Sequence, residues 1–191
     1  MNIIFLMYSV VVDYINSIFP EKNIAHFERA AYWVEVLANP ASQALRIAAY
    51  GHDIERALRD EEGKRIIARG WLDETYLHCH QMRGAELLAA FLSHHGADKE
   101  LIDEVKHLVS AHEVGGDEQQ TILMNADSLS FLETNAYQFI SEKLTIKNSD
   151  EVRKKLSWMY ERIQGAQAKA IATPLYEKVL ARLNTKIKEL S

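Results

Sequence analysis

The sequence holds little that would staple or bend a chain. A single cysteine, Cys79, excludes an intrachain disulfide and fits a reducing compartment such as the cytoplasm. Three prolines and eight glycines in 191 residues leave few places for turns, which favours long helices over many short strands. Strict apolar–polar alternation is missing, and so are the Asn-Gly and Asp-Gly pairs that mark hairpins. Excess positive charge is missing too. The 22 Lys and Arg stand against 27 Asp and Glu, a net charge of −5 that gives no general support for nucleic-acid binding. No apolar run reaches the ~20 residues needed to span a bilayer. The first run, MNIIFLMYSVVV, breaks at Asp13, has no basic residue before Lys22 and lacks a small-residue cleavage site. It reads as a buried first helix rather than an export signal, and Met7 offers a second candidate start.

What remains is helical nearly everywhere. The periodicity predicts helices over roughly 5–19, 23–38 and 41–51, broken by Pro20 and by Asn39-Pro40. The charged stretch RDEEGKRIIARGWLDETYL predicts a loop with short helical pieces. Further helices are expected at roughly 80–95, closed by Gly96, and from Asp98 to the Gly115-Gly116 stop. Another follows in EQQTILMNADSLSFLETNA. Asn148 and Glu151, three apart, predict a capping box before SWMYERI, and Pro174 is expected to begin or kink a segment. With no repeat, low-complexity tract or linker, the expectation is one all-α domain over 1–191, a single-domain helical bundle.

Eight histidines are the unusual feature of the composition. His26 shares a helical stripe with Ala30, Trp33 and Leu37, and His80 with Gly84, Leu87 and Phe91. His112 continues the stripe Leu101, Val105, Leu108, and Asp127 lies with Leu123, Ser130 and Phe131. His52-Asp53 ends the apolar run RIAAYG. One inward imidazole is usually a satisfied core residue. Several, with two inward carboxylates, would each need a private partner, whereas a metal satisfies them together. The other histidines read differently. His107 sits on the polar stripe Glu100, Asp103, Glu104, and His78 points away from His80. His94 and His95 close a helix, with His94 about 21 Å along the axis from His80. One cysteine makes a structural zinc site a poor reading of His78-Cys79-His80.

The ordered set His26, His52-Asp53, His80, His112, Asp127 resembles that of the HD superfamily of metal-dependent phosphohydrolases, over roughly residues 24–135. HQMRGAELL is similar to its His-three-residues-Gly-Ala helix, SAHEVGG to its His before a Gly turn, and NADSLSFLE to its Ala-Asp helix. The resemblance implies an HD-type helical core with the C-terminal helices, about 148–190, packed on it. It implies His26, His52, Asp53 and Asp127 at one metal, His80 and His112 at a second, and Asp53 bridging. Two divalent transition-metal ions per chain are expected, iron, manganese or similar, with magnesium, nickel or cobalt as alternatives.

The implied reaction is hydrolysis of a phosphate ester or anhydride in a nucleotide or other small phosphorylated metabolite, by metal-activated water. Asp53 would act at the reaction centre. Arg56 stands where many members carry a Lys, either as a phosphate clamp or as a surface Arg paired with an acid. The Gly before that position is Glu55 here, the Glu-Asp pair of alarmone hydrolases is missing, and so is the Gly-Tyr-Pro signature of cyclic-di-GMP phosphodiesterases. Glu55 and Glu113 are candidates for proton transfer or solvated acids. A mixed-valent di-iron oxygenase uses the same six ligands, and a non-catalytic regulatory member is the third reading. No nucleic-acid or membrane partner is expected. Trp158, Tyr160 and Arg162 could cover the site or stack on a base, but such a stripe more often packs a helix onto the core, which is the expectation; nothing in the sequence assigns Arg162 or Lys169 as phosphate contacts.

Overall fold

The computed structural model describes residues 3–190, with side chains from Met7 onward. Among these residues there is no strand, and the protein is all-α. Among them, too, no helix is long and apolar enough to cross a membrane. The order is α1 (Ile3–Ile18), α2 (Glu21–Ala38), α3 (Gln43–Gly51), the short α4 (Ile54–Ala57), α5 (Glu61–Ile67) and α6 (Glu74–His94). Then come α7 (Lys99–Val109), α8 (Glu118–Ser130), a π-helical turn at Phe131–Asn135, α9 (Ala136–Lys143), α10 (Ser149–Glu161) and α11 (Ala166–Leu190).

Side-chain caps set the helix starts. Ser42, Asp60, Asp73, Asp98 and Asp117 each accept a backbone N–H three residues on, at 2.8 to 3.1 Å. Each such cap contributes about 1 kcal/mol. Asp73 moves the start of α6 to Glu74, earlier than the apolar periodicity places it. Asn148 does not cap α10 through its side chain. Its Oδ1 accepts from Thr145 N at 2.8 Å and its amide donates to Lys143 O, so the box closes one turn upstream.

Helix α3 occupies the centre, packed against α1, α2, α7 and α8. Ala44, Leu45, Ile47, Ala48, Ala49, Tyr50 and Gly51 are all buried, as a helix enclosed on every side requires. It therefore delivers His52-Asp53 to the interior. A glycine directly before His52-Asp53 suggests a point where the chain can turn. A Cβ at Gly51 would instead stand 2.8 Å from Leu88 Cδ2, so the glycine serves close packing of α3 on α6. Gly84 has a similar task on α6: its Cβ would lie 3.0 Å from the His52 carbonyl oxygen.

Val11 and Ile15 of α1 are fully buried, as expected of the apolar start. The side chains of the chain's first six residues lie outside the described residues. Pro174 neither begins nor ends a segment but sits inside α11. Its missing N–H costs about 3 kcal/mol. Buried Ala168 and Ala172 before it, and Val179 and Leu183 after it, hold both halves to one core.

Gly51→Ala should cost about 1–3 kcal/mol by overpacking. In a Leu88→Ala background, where the space is vacated, the same change should cost less or stabilise. Urea unfolding of the four proteins measures this, and additive costs would show that Leu88 does not exclude the methyl.

Candidate metal centre

Six side chains from across the chain meet at one end of α3. His26 comes from the middle of α2, His52 and Asp53 from the α3–α4 corner, His80 from α6, and Asp127 from α8. His112 comes from the turn after α7 rather than from the helix itself, because α7 stops at Val109. None of the six is more than 7% exposed.

They fall into two triads, His26/His52/Asp127 and Asp53/His80/His112, each with potential ligand atoms within 4.8 Å of one another. Asp127 Oδ1 is 3.3 Å from His26 Nε2 and 3.4 Å from His52 Nε2. Asp53 stands between the triads, with Oδ2 4.0 and 3.9 Å from the same two nitrogens and Oδ1 3.0 Å from His80 Nε2.

The imidazole hydrogen bonds fit this pocket to a cation. His52 Nδ1 and His112 Nδ1 lie 2.9 and 2.8 Å from the Ala49 and Val109 carbonyls, which can only accept, so both Nδ1 atoms carry the proton. His80 Nδ1 donates to Glu55 Oε2 at 2.7 Å. The Ser130 hydroxyl gives its one proton to His26 O and accepts from His26 Nδ1. All four rings are thereby oriented with Nε2 facing inward. Partners of this kind on the distal nitrogen fix the tautomer of metal-binding histidines. His26 and His52 then face one another Nε2 to Nε2 at 3.4 Å, and His112 Nε2 is buried with no hydrogen-bond partner. A divalent ion, once it displaces the proton held by His52, would satisfy these nitrogens together.

Charge is balanced by residues the sequence reading did not place. Arg162, at the end of α10, reaches the site from the chain's last third. Its Nε donates to Ser128 Oγ, Nη1 to the Glu113 carbonyl and to Glu113 Oε2 at 2.6 Å, and Nη2 to Asp127 Oδ2. Trp158 stacks on the guanidinium at 4.3 Å. The stripe therefore packs the helix and also delivers a cation to the centre. Only the odd presence of an Arg within an aromatic stripe could have signalled it.

Glu55 and Glu113 are not solvated; each is 2% exposed. Glu55 has both oxygens committed, to His80 and to Arg59. Arg56 donates from Nε to Asp53 Oδ1 at 2.7 Å and is half exposed, with Nη2 3.8 Å from Glu113 Oε1.

Burial would raise the carboxyls of Asp53 and Asp127, but Arg56 beside the first and Arg162 beside the second hold both well below the usual range. Burial would lower His52, yet Asp53 and Asp127 outweigh it and raise the imidazole to about 9. His112 is pushed down by burial to about 4, so it is neutral at physiological pH.

The centre forms the inner end of a cavity of about 310 Å³. Arg56, Glu113 and Lys155 line it nearby, and Trp71, Phe131 and Phe139 form an aromatic wall. His107 lies outside, exposed and bonded to Asp117 at 2.6 Å. His78, His94 and His95 are exposed, and Cys79 is a free thiol.

Removing Arg162 would leave Glu113 and Asp127 buried without their counter-charge. Arg162→Ala should destabilise the metal-free protein by about 3–5 kcal/mol. Saturating Mn²⁺ should narrow the gap, as measured by urea unfolding with and without the ion; wild-type stability in the variant would exclude the pairing. Metal affinity should depend on pH through His52. A raised value means that the folded, metal-free protein holds this proton up to about pH 9, and an ion must displace it. Affinity should therefore climb with pH and level off near pH 9 in chelator competition; a flat profile from pH 6 to 9 would show His52 neutral throughout.

Comparison with known proteins adds three findings. A family model described as a domain of unknown function, DUF4202, matches residues 13–181. No curated protein matches the sequence. The crystal structure of a predicted HD superfamily hydrolase from an uncultured Thermotogales bacterium is similar over 100% of both chains, with a TM-score of 0.57 at 20% identity. At that identity the likeness is one of fold alone: the chain shares the all-α fold of that protein.

Proposed function

The chain belongs to the DUF4202 family and has the fold of an HD superfamily hydrolase; on that footing we propose that it is a metal-dependent phosphohydrolase, cleaving a phosphate ester or anhydride of a nucleotide or other small phosphorylated metabolite. The observation that carries this reading is the orientation of four imidazoles. Each has Nδ1 committed and Nε2 turned toward Asp53 and Asp127, at the inner end of a cleft with Arg56 in its wall.

Charge bookkeeping supports an anionic substrate. Asp53, Glu55, Glu113 and Asp127 are offset within the protein by Arg56, Arg59 and Arg162. Divalent ions would be held by His26, His52, Asp53, His80, His112 and Asp127; bound there, they would leave positive charge in excess and would supply an acidified water and charge neutralisation at phosphoryl oxygens.

The chain's own groups divide the remaining work. Arg56 keeps its Nη atoms for phosphate oxygens while Nε holds Asp53. Glu113 Oε2 is tied to Arg162, and Oε1 remains open, 3.7 and 3.9 Å from His80 and His112 Nε2, as an acceptor for a hydrogen bond from the attacking water. Burial would raise Glu113, but Arg162 outweighs it and holds the carboxyl at about 2, so it is ionised at working pH. Glu55 serves as the partner that orients His80. The cavity volume, at the small end of ligand pockets, favours a metabolite over a polymer, and the wall of Trp71, Phe131 and Phe139 suits a planar organic group.

Elemental analysis and a panel of phosphomonoesters and nucleotides test the reading. Wild type should hold about two divalent ions per chain and turn over at least one ester. Asp53→Ala should lose metal from both triads and all turnover, while His107→Ala should keep both. Full metal and activity in Asp53→Ala would refute the assignment, and oxygen consumption by the iron-loaded protein without hydrolysis would replace it with the oxygenase reading.

A further inference from the structure

Lys155 has no evident reason to be where it is. It lies on α10, outside the stretch that resembles the HD core, and is only 9% exposed. A buried ammonium is costly unless it is hydrogen-bonded or paired. Among the described residues its Nζ makes no hydrogen bond and no ion pair within 4 Å; its close partner is the face of Trp158, at 4.3 Å. The nearest candidate for neutralisation, Glu113, already has Arg162 on Oε2 at 2.6 Å. Yet Lys155 lines the same cavity as Arg56, Glu113 and the two aspartates of the centre. The protein thus holds an ammonium with unused donors against the cavity, beside a guanidinium whose Nη atoms are also uncommitted to close acceptors.

We propose that Lys155 is a substrate-binding residue, and that with Arg56 it forms a two-cation cradle for the non-bridging oxygens of a terminal phosphoryl group. The inference rests on the hydrolase reading above and deepens it: the substrate carries its reacting phosphate as a terminal, fully charged group rather than as an internal diester. A diester phosphate has one negative charge, whereas a terminal phosphate has close to two and three acceptor oxygens. Two cations beside the metal centre match the latter. The fold supports the arrangement from a distance, because Arg162, two turns along from Lys155, is locked to Ser128, Asp127 and Glu113 and fixes this end of α10 over the cavity.

The test uses inorganic phosphate, the product common to all terminal phosphate esters, with the metal-loaded full chain. Phosphate binding is measured by calorimetry for wild type, Lys155→Met and Lys155→Arg, with metal per chain and melting temperature measured for each. Methionine keeps an unbranched apolar stem and removes the charge.

At unchanged metal content, Lys155→Met should bind phosphate about tenfold to a hundredfold more weakly, the loss of one charge-assisted hydrogen bond. Lys155→Arg should stay close to wild type. Lys155→Met should also melt no lower than wild type when phosphate is absent, since an unpaired buried charge has been removed. A structural Lys155 would give the opposite sign. Wild-type phosphate affinity in Lys155→Met overturns the proposal, as does loss of metal from that variant, which would make Lys155 a positioning residue. Failure of the hydrolase reading looks different: phosphate binding that depends on Lys155, with no phosphate ester turned over.

Discussion

Four carboxylates buried in an all-helical core set the terms for the rest of this structure. Asp53, Glu55, Glu113 and Asp127 are each 7% exposed or less. An ionised carboxylate so placed is strongly destabilising unless it is paired and hydrogen-bonded. The chain meets this with cations from several elements: Arg56 and Arg59 on or beside α4, Arg162 at the end of α10, and inward imidazoles from α2, α3, α6 and the turn after α7. The Arg162 pairs tie the end of α10 to α8 and to the turn after α7. The Asn125–Gln164 bonds, 2.9 Å in both directions between α8 and the α10–α11 turn, strengthen the same seam.

The imidazole hydrogen bonds extend this logic to function. Two backbone carbonyls, a serine and a glutamate take the Nδ1 protons and leave four Nε2 atoms converging on two aspartates. An apolar core would be at least as stable without this arrangement. Its facing acceptors, with one orphaned imidazole nitrogen, are instead the pattern expected where binding is favoured at some expense of the empty fold. Lys155 adds an ammonium at the cavity wall whose close partner is the face of Trp158.

Much of this was legible in the sequence because helical periodicity marks burial directly. His26, His80 and Asp127 lie on apolar stripes, and those stripes do face the core. The start of α7 at Asp98 was legible too, because a cap is a local bond to a backbone N–H that depends on a few adjacent residues. Other expectations failed for want of non-local information. His112 reached the core from a turn, because α7 ends three residues earlier. Gly51 is dictated by Leu88, a residue far along the chain, and Asn148 found a partner upstream in Thr145 rather than downstream. Pro174 does not begin a segment but lies inside α11, because packing on both sides of it outweighs its local cost.

By itself the sequence determined the helical class, the approximate helix order and the six inward-facing ligand-type residues, since each follows from composition and short-range spacing. Tertiary structure alone decided which atoms of those residues meet, with Asp53 between two triads and the Nε2 atoms turned inward. It also decided that Arg162 and Lys155 from α10 belong to the cavity. Those outcomes depend on distances between segments 26 or more residues apart. Side-chain pairing at that range is set by how helices stack, and no local pattern encodes it.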